Sequence, residues 1–208
     1  WLFGANAGLE LLAMIASFMI TYYGYKTWKL TSQKRFFNLG LAFFFIGISF
    51  LARTIAHLLF YLFGTERILI DLLKWINYGS LFYMTLTLMG YLIILAVITE
   101  MFDRRSLPLL FFLSLVGIFF SANPLQVFHI LALIILMFIL WRQSLNYARN
   151  LNKNALWVFG TFLLLAAGHV MFIAISYIQT EYIFHVLGHV IQLLGYGALL
   201  FAILRLWA

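Results

Sequence analysis

The sequence predicts an all-α, polytopic membrane protein of seven transmembrane helices, and three observations carry that expectation. Of 208 residues, 65% are hydrophobic and 9% are charged, against about 25% charged in a soluble domain. Mean hydropathy is +1.05, too apolar for a water-facing surface around one core. The apolar residues also come in runs of span length, separated by turn and helix-start signals. A spanning helix needs about 20 apolar residues at 1.5 Å rise each.

Each run has an identifiable end. The first, 6–29, is closed by the basic turn Lys26 to Arg35, and the second, 36–63, by Gly64-Thr65-Glu66-Arg67. The third, 69–99, stops before Asp103-Arg104-Arg105, ahead of Pro108. The fourth, 107–121, is short for a full crossing, which leaves six spans as the alternative count. Ser121-Ala122-Asn123-Pro124 ends it and starts the fifth, 124–148, because proline suits a first helical turn. Polar residues 149–154 precede the sixth, 154–179, and the seventh occupies 181–207. The first run has no charged leader, so it reads as a span and not as a cleaved signal.

Charge sets the orientation. Lys26, Lys29, Lys34, Arg35, Arg104, Arg105, Arg142, Arg149, Lys153 and Arg205 fall on one side, against Arg67 and Lys74 on the other. The positive-inside rule then places the chain in the cell membrane, its N-terminus outside and its C-terminus cytoplasmic. The net charge of +7 is explained by this rim, with no nucleic acid implied. The rim would dock a cytoplasmic partner, partner membrane subunits or anionic headgroups. No cysteine is present, which excludes disulfides and thiolate chemistry.

A faint repeat organises the seven spans. Residues 12–40 align on 132–160, with Gly40 opposite Gly160, and Leu88-Met89-Gly90-Tyr91 matches Leu193-Leu194-Gly195-Tyr196. Helices 1–3 then correspond to helices 5–7 with helix 4 as a peripheral connector, a 3+1+3 parallel repeat.

Polar groups in hydrocarbon are costly and turn to the bundle interior, so their spacing marks inward faces. Ser49, Arg53 and His57 lie at i, i+4, i+8 on helix 2; His185, His189, Gln192 and Tyr196 form one face of helix 7. Helix 1 offers Asn6, Glu10, Ser17 and Thr21; helix 3 opens with Asp71 and Lys74; helices 5 and 6 carry His129 and His169. By helix rise, His57 and His185 sit about 6–9 Å below the outer ends, and His169 and His189 about 12–16 Å down. Imidazole is a common metal ligand, and an i, i+4 pair can hold one ion. Equally, such residues are ordinary interhelical hydrogen-bond donors. Arg53 is expected to pair with Glu10 or Asp71, and His129 to sit at the interface.

His-x3-His opening helix 7 (His185, His189), a histidine near the end of helix 2 (His57) and an aspartate opening helix 3 (Asp71) resemble the CREST superfamily, which includes alkaline ceramidases and adiponectin-receptor-like proteins. The resemblance implies zinc held by His57, His185 and His189, with Asp71 and Ser49 assisting hydrolysis of a lipid amide entering from the bilayer. The family's helix-2 motif is Ser-x3-His; here Arg53 stands at the serine position and Ser49 lies a turn earlier.

Two other function classes fit the same residues. Histidines at matched depth, His169 with His189 or His57 with His185, would clamp a b-type haem, with Gly168 and Gly188 leaving room for the macrocycle. Alternatively, the outer polar pocket serves a non-catalytic seven-helix sensor, receptor or structural subunit. Helix 7 lacks lysine and no P-loop is present, which excludes a retinal Schiff base and ATP-driven transport by this chain alone.

Overall fold

The computed structural model describes the backbone of residues 2–63, 69–100, 106–150, 153–175 and 181–207. Side chains at 2–3, 63, 69–76, 106, 150, 181–182 and 206–207 lie outside the description. The described chain is seven α-helices: α1 Leu2–Thr31, α2 Lys34–Phe63, α3 Leu69–Thr99, α4 Ser106–Phe119, α5 Pro124–Asn150, α6 Lys153–Ile175 and α7 Glu181–Trp207. Helix is what a lipid solvent enforces, because each backbone N–H and C=O must be satisfied within its own segment. Six helices are long and apolar enough to cross a membrane. With 14 residues, α4 rises about 21 Å, short of the ~30 Å hydrocarbon core.

The helix ends follow local rules. Asn123 caps α5, its Oδ1 accepting the Gln126 N–H at 3.3 Å, with Pro124 in the first turn. After α1 the chain reverses at Ser32, whose φ of 55° is left-handed, and its N–H donates to the Trp28 carbonyl at 2.7 Å. That is the αL termination seen at many helix C-termini.

Six helices close into a ring in the order α1, α2, α3, α5, α6, α7 and back to α1, while α4 touches only α3 and α5 from outside. The expected peripheral fourth helix is therefore found. Successive helices alternate in direction. The end of α3, the starts of α2 and α6 and the last turns of α5 meet around one polar recess, at the end of the bundle that carries the basic turns. The other end holds the start of α1 and of α7. Buried aromatic and aliphatic side chains fill the ring, among them Phe43, Phe50, Tyr83, Phe128, Phe162 and Tyr196.

Backbone contacts give the repeat physical content and correct its register. A Cβ on Gly90 would strike Ile46 at 2.6 Å and the Ala42 carbonyl at 2.9 Å; one on Gly195 would strike Leu165 at 2.9 Å and the Thr161 carbonyl at 3.3 Å. Each glycine thus lets the third helix of its triplet press on the second. This equivalence pairs Ala42 with Thr161, whereas the sequence alignment pairs Ala42 with Phe162, one residue away. Gly40 and Gly160 are not equivalent. A Cβ on Gly40 would lie 3.2 Å from the Thr21 carbonyl of α1 and one on Gly24 3.1 Å from Gly40 Cα, while a Cβ on Gly160 would have no atom within 4 Å. Position 144, which the alignment sets opposite Gly24, is a serine, so the second triplet lacks the glycine pair that lets α1 and α2 touch.

Candidate functional site

Glu10 of α1 is the centre of the buried polar groups near the N-terminal end. Its Oε1 lies 3.0 Å from Arg53 Nε, and its Oε2 takes a hydrogen bond from His57 Nδ1 at 2.9 Å. His189 Nε2 approaches Oε1 at 3.8 Å. Glu10 is 1% exposed and Arg53 6%, a burial that charges tolerate only when paired. The expected Arg53–Glu10 partnership is found. The other candidate partner, Asp71, has its side chain outside the described residues. Arg53 also lies over the Tyr83 ring, 4.5 Å from its centroid, a cation–π contact that further holds the guanidinium.

This group is paired by charge but not filled by hydrogen bonds. The Arg53 Nε–H is not aligned on Oε1 despite the short distance, so that contact is ionic in character. Among the described residues, Arg53 Nη1, Asn6 Oδ1, Thr54 Oγ1, His185 Nδ1, His189 Nε2 and both amide atoms of Gln192 have no hydrogen-bond partner. Buried polar atoms are paired in more than about nine cases in ten, so seven such atoms on α1, α2 and α7 mark this region out. They include donors and acceptors alike.

A second network lies on α3, α5, α6 and α7. His129 and His169 join Nδ1 to Nδ1 at 2.9 Å, the Tyr91 hydroxyl meets His169 Nε2 at 3.3 Å, and Tyr91 meets the Tyr196 hydroxyl at 3.2 Å. The three bonds are met with the protons ordered either way along the chain, from Tyr196 through Tyr91 and His169 to His129 or in reverse, each order fixing the tautomers of the two histidines. Tyr91 and Tyr196 are the two tyrosines that the repeat sets opposite each other. His129, expected at the interface, is instead 2% exposed. Five residues into α5, it stacks on Phe172 at 4.7 Å, and its hydrogen bond to His169 explains why the interior tolerates it.

Phe172 of α6 divides the two networks. Its ring lies 4.7 Å from His129, 4.9 Å from His189 and 5.5 Å from His185. His185 and His189, one turn apart, are 4.9 Å between ring centroids. Ser49 belongs to neither group. Its hydroxyl donates to the Ile46 carbonyl at 2.7 Å and pairs with Thr87 Oγ1 at 2.9 Å, tying α2 to α3.

The residues expected to hold zinc do not form a metal-holding group. Among the described residues no three His, Asp or Glu side chains meet that geometry. His57 and His189 address different oxygens of Glu10, and the Arg53 cation stands on that same carboxylate. A dication there would be repelled by the guanidinium. The room expected for a macrocycle at Gly168 and Gly188 is taken up: a Cβ on Gly168 would lie 2.5 Å from Gln192 Cγ, and one on Gly188 2.9 Å from the Phe172 ring. Those glycines make room for side chains of this chain, and His169 is bonded through both nitrogens.

No family model matches the chain, and no curated protein or solved structure matches it.

Proposed function

We propose that this integral membrane protein is a ligand-binding unit of the sensor or receptor class, with a small hydrogen-bonding solute held at Arg53, Gln192, His185 and His189. The observation that supports this reading is the set of buried polar atoms around the Glu10–Arg53 pair that have no hydrogen-bond partner among the described residues. Leaving such an atom unmet costs about 1–3 kcal/mol, so a solute that meets several at once gains from each. Arg53 Nη1 supplies a fixed donor, Asn6 Oδ1 an acceptor and the Gln192 amide both. The ligand class is therefore a compact molecule with mixed donors and acceptors, neutral overall or carrying one negative charge for Arg53. With the N-terminus outside, as the basic residues predict, this half faces the outer leaflet.

The test is thermal unfolding of the purified protein across a panel of small carboxylates, phosphates, amides and polyols. At a concentration 100 times its Kd, a ligand stabilises by about 2.7 kcal/mol, a clear rise in Tm. The same solute should lose its effect in Gln192→Leu. If no solute shifts Tm, or the shift persists in that variant, water alone meets these atoms and the reading fails.

Zinc-dependent lipid-amide hydrolysis is the second reading, favoured by the approach of α2 and α7 histidines to one carboxylate. Arg53 on that carboxylate opposes it. Stoichiometric zinc, lost in His189→Ala, would support it over the first.

A further inference from the structure

Because α4 is short and stands outside the ring, it leaves a cleft along its seam with α3 and α5. The cleft is a cavity of about 670 Å3, within the usual range for a small-molecule site. Leu92 and Leu95 of α3, Leu110 of α4, and Leu131, Ile134 and Phe138 of α5 make its wall apolar. Three polar residues also line it: Thr99, Ser114 and Arg142. Two of these are already satisfied, since Thr99 donates to the Leu95 carbonyl at 2.8 Å and Ser114 to the Leu110 carbonyl at 2.8 Å. Arg142 is the one charged residue in the wall, and it makes no ion pair among the described residues.

The position of Arg142 defines what would occupy this cleft. It lies eight residues before the end of α5, about 12 Å from that terminus, at the basic end of the bundle. A long cationic side chain at that depth extends toward the headgroups while its stem stays in hydrocarbon. Its neighbour Trp141, 60% exposed, also lines the cleft, and tryptophan favours the interfacial level. An alkyl chain matches the wall, and a phosphate matches a guanidinium in charge and in fork geometry.

We propose that the α3/α4/α5 cleft binds one acyl chain of an anionic phospholipid, with its phosphate on Arg142. This site is separate from the polar groups around Glu10 and does not depend on their function. The full chain is reconstituted in nanodiscs mixing phosphatidylglycerol and phosphatidylcholine of identical chains, then released, and the retained lipids are counted by native mass spectrometry. Wild type should retain phosphatidylglycerol in preference. One cation near a membrane surface contributes about 1 kcal/mol, so Arg142→Ala should reduce that preference roughly fivefold. Ile134→Trp and, independently on α4, Leu110→Trp should fill the cleft and abolish retention of both lipids. Arg149→Ala, near the same end of α5 but not in the cleft wall, should reduce the preference by clearly less than Arg142→Ala does.

Equal losses in Arg149→Ala and Arg142→Ala would mean that diffuse charge draws the lipid, and would overturn the proposal. So would retention that survives both tryptophan variants, retention of free fatty acid in place of phospholipid, or no retained lipid in wild type.

Discussion

Two buried polar networks meet at the Phe172 ring, and they are built on opposite principles. The one on α3, α5, α6 and α7 is a line of four side chains joined by three hydrogen bonds. The one on α1, α2 and α7 is ionic, held by a carboxylate and a guanidinium, and surrounded by atoms without partners. A line of hydrogen-bonded side chains rigidifies the interior. An ionic group with open hydrogen-bonding positions is stable through its pairing, and those open positions are what the proposed solute would meet. The contrast separates structural histidines from candidate functional ones, although all of them are buried wholly or in part.

Four substitutions sharpen the comparison. The largest effect should come from Glu10→Ala, which leaves Arg53 buried without its counter-charge and His57 without its acceptor. Removing one partner of a buried pair costs about 3–5 kcal/mol, to be read as lost unfolding free energy in mixed micelles. His169→Leu comes next, leaving Tyr91 and His129 each short of one bond, for about 2 kcal/mol and no change in solute response. Tyr196→Phe removes a single interhelical hydrogen bond and should cost about 0.6–1 kcal/mol. Gln192→Leu should cost the least, because its amide has no hydrogen bond to lose among the described residues, while abolishing the solute-induced rise in Tm. A large stability loss in Gln192→Leu would erase the distinction between the networks.

How much of this could be read in the sequence follows from what hydrocarbon does to a chain. Helix positions were legible because lipid leaves no alternative to helix, and polar punctuation such as Asn123-Pro124 marks the breaks. The inward faces of α2 and α7 were legible too, since Arg53, His57, His189 and Gln192 had to avoid lipid. That Arg53 pairs with an acid followed from the same argument, which left Glu10 and Asp71 both open; the structure sets Glu10 beside it. Partner choice among the histidines was not legible. His129 lies near a helix start, where depth suggests an interface, and only its contact with His169 across α5 and α6 shows otherwise. Gly168 and Gly188 looked like space for a macrocycle; a glycine shows that something comes close, and here Gln192 and Phe172 do. The role of Phe172 carried no signal, being one of 23 phenylalanines. The repeat register slipped by one residue because apolar helices align almost equally well at neighbouring offsets.

The most direct measurement is nitrogen NMR of the Arg53 guanidinium in nanodiscs, recorded with and without the solute that raises Tm most. Arg53 Nε is already engaged by Glu10, while Nη1 has no hydrogen-bond partner among the described residues. The account predicts that saturating solute moves the Nη resonances and leaves the Nε resonance near its starting position. An unmoved Nη pair, or a shift confined to Nε, would contradict it.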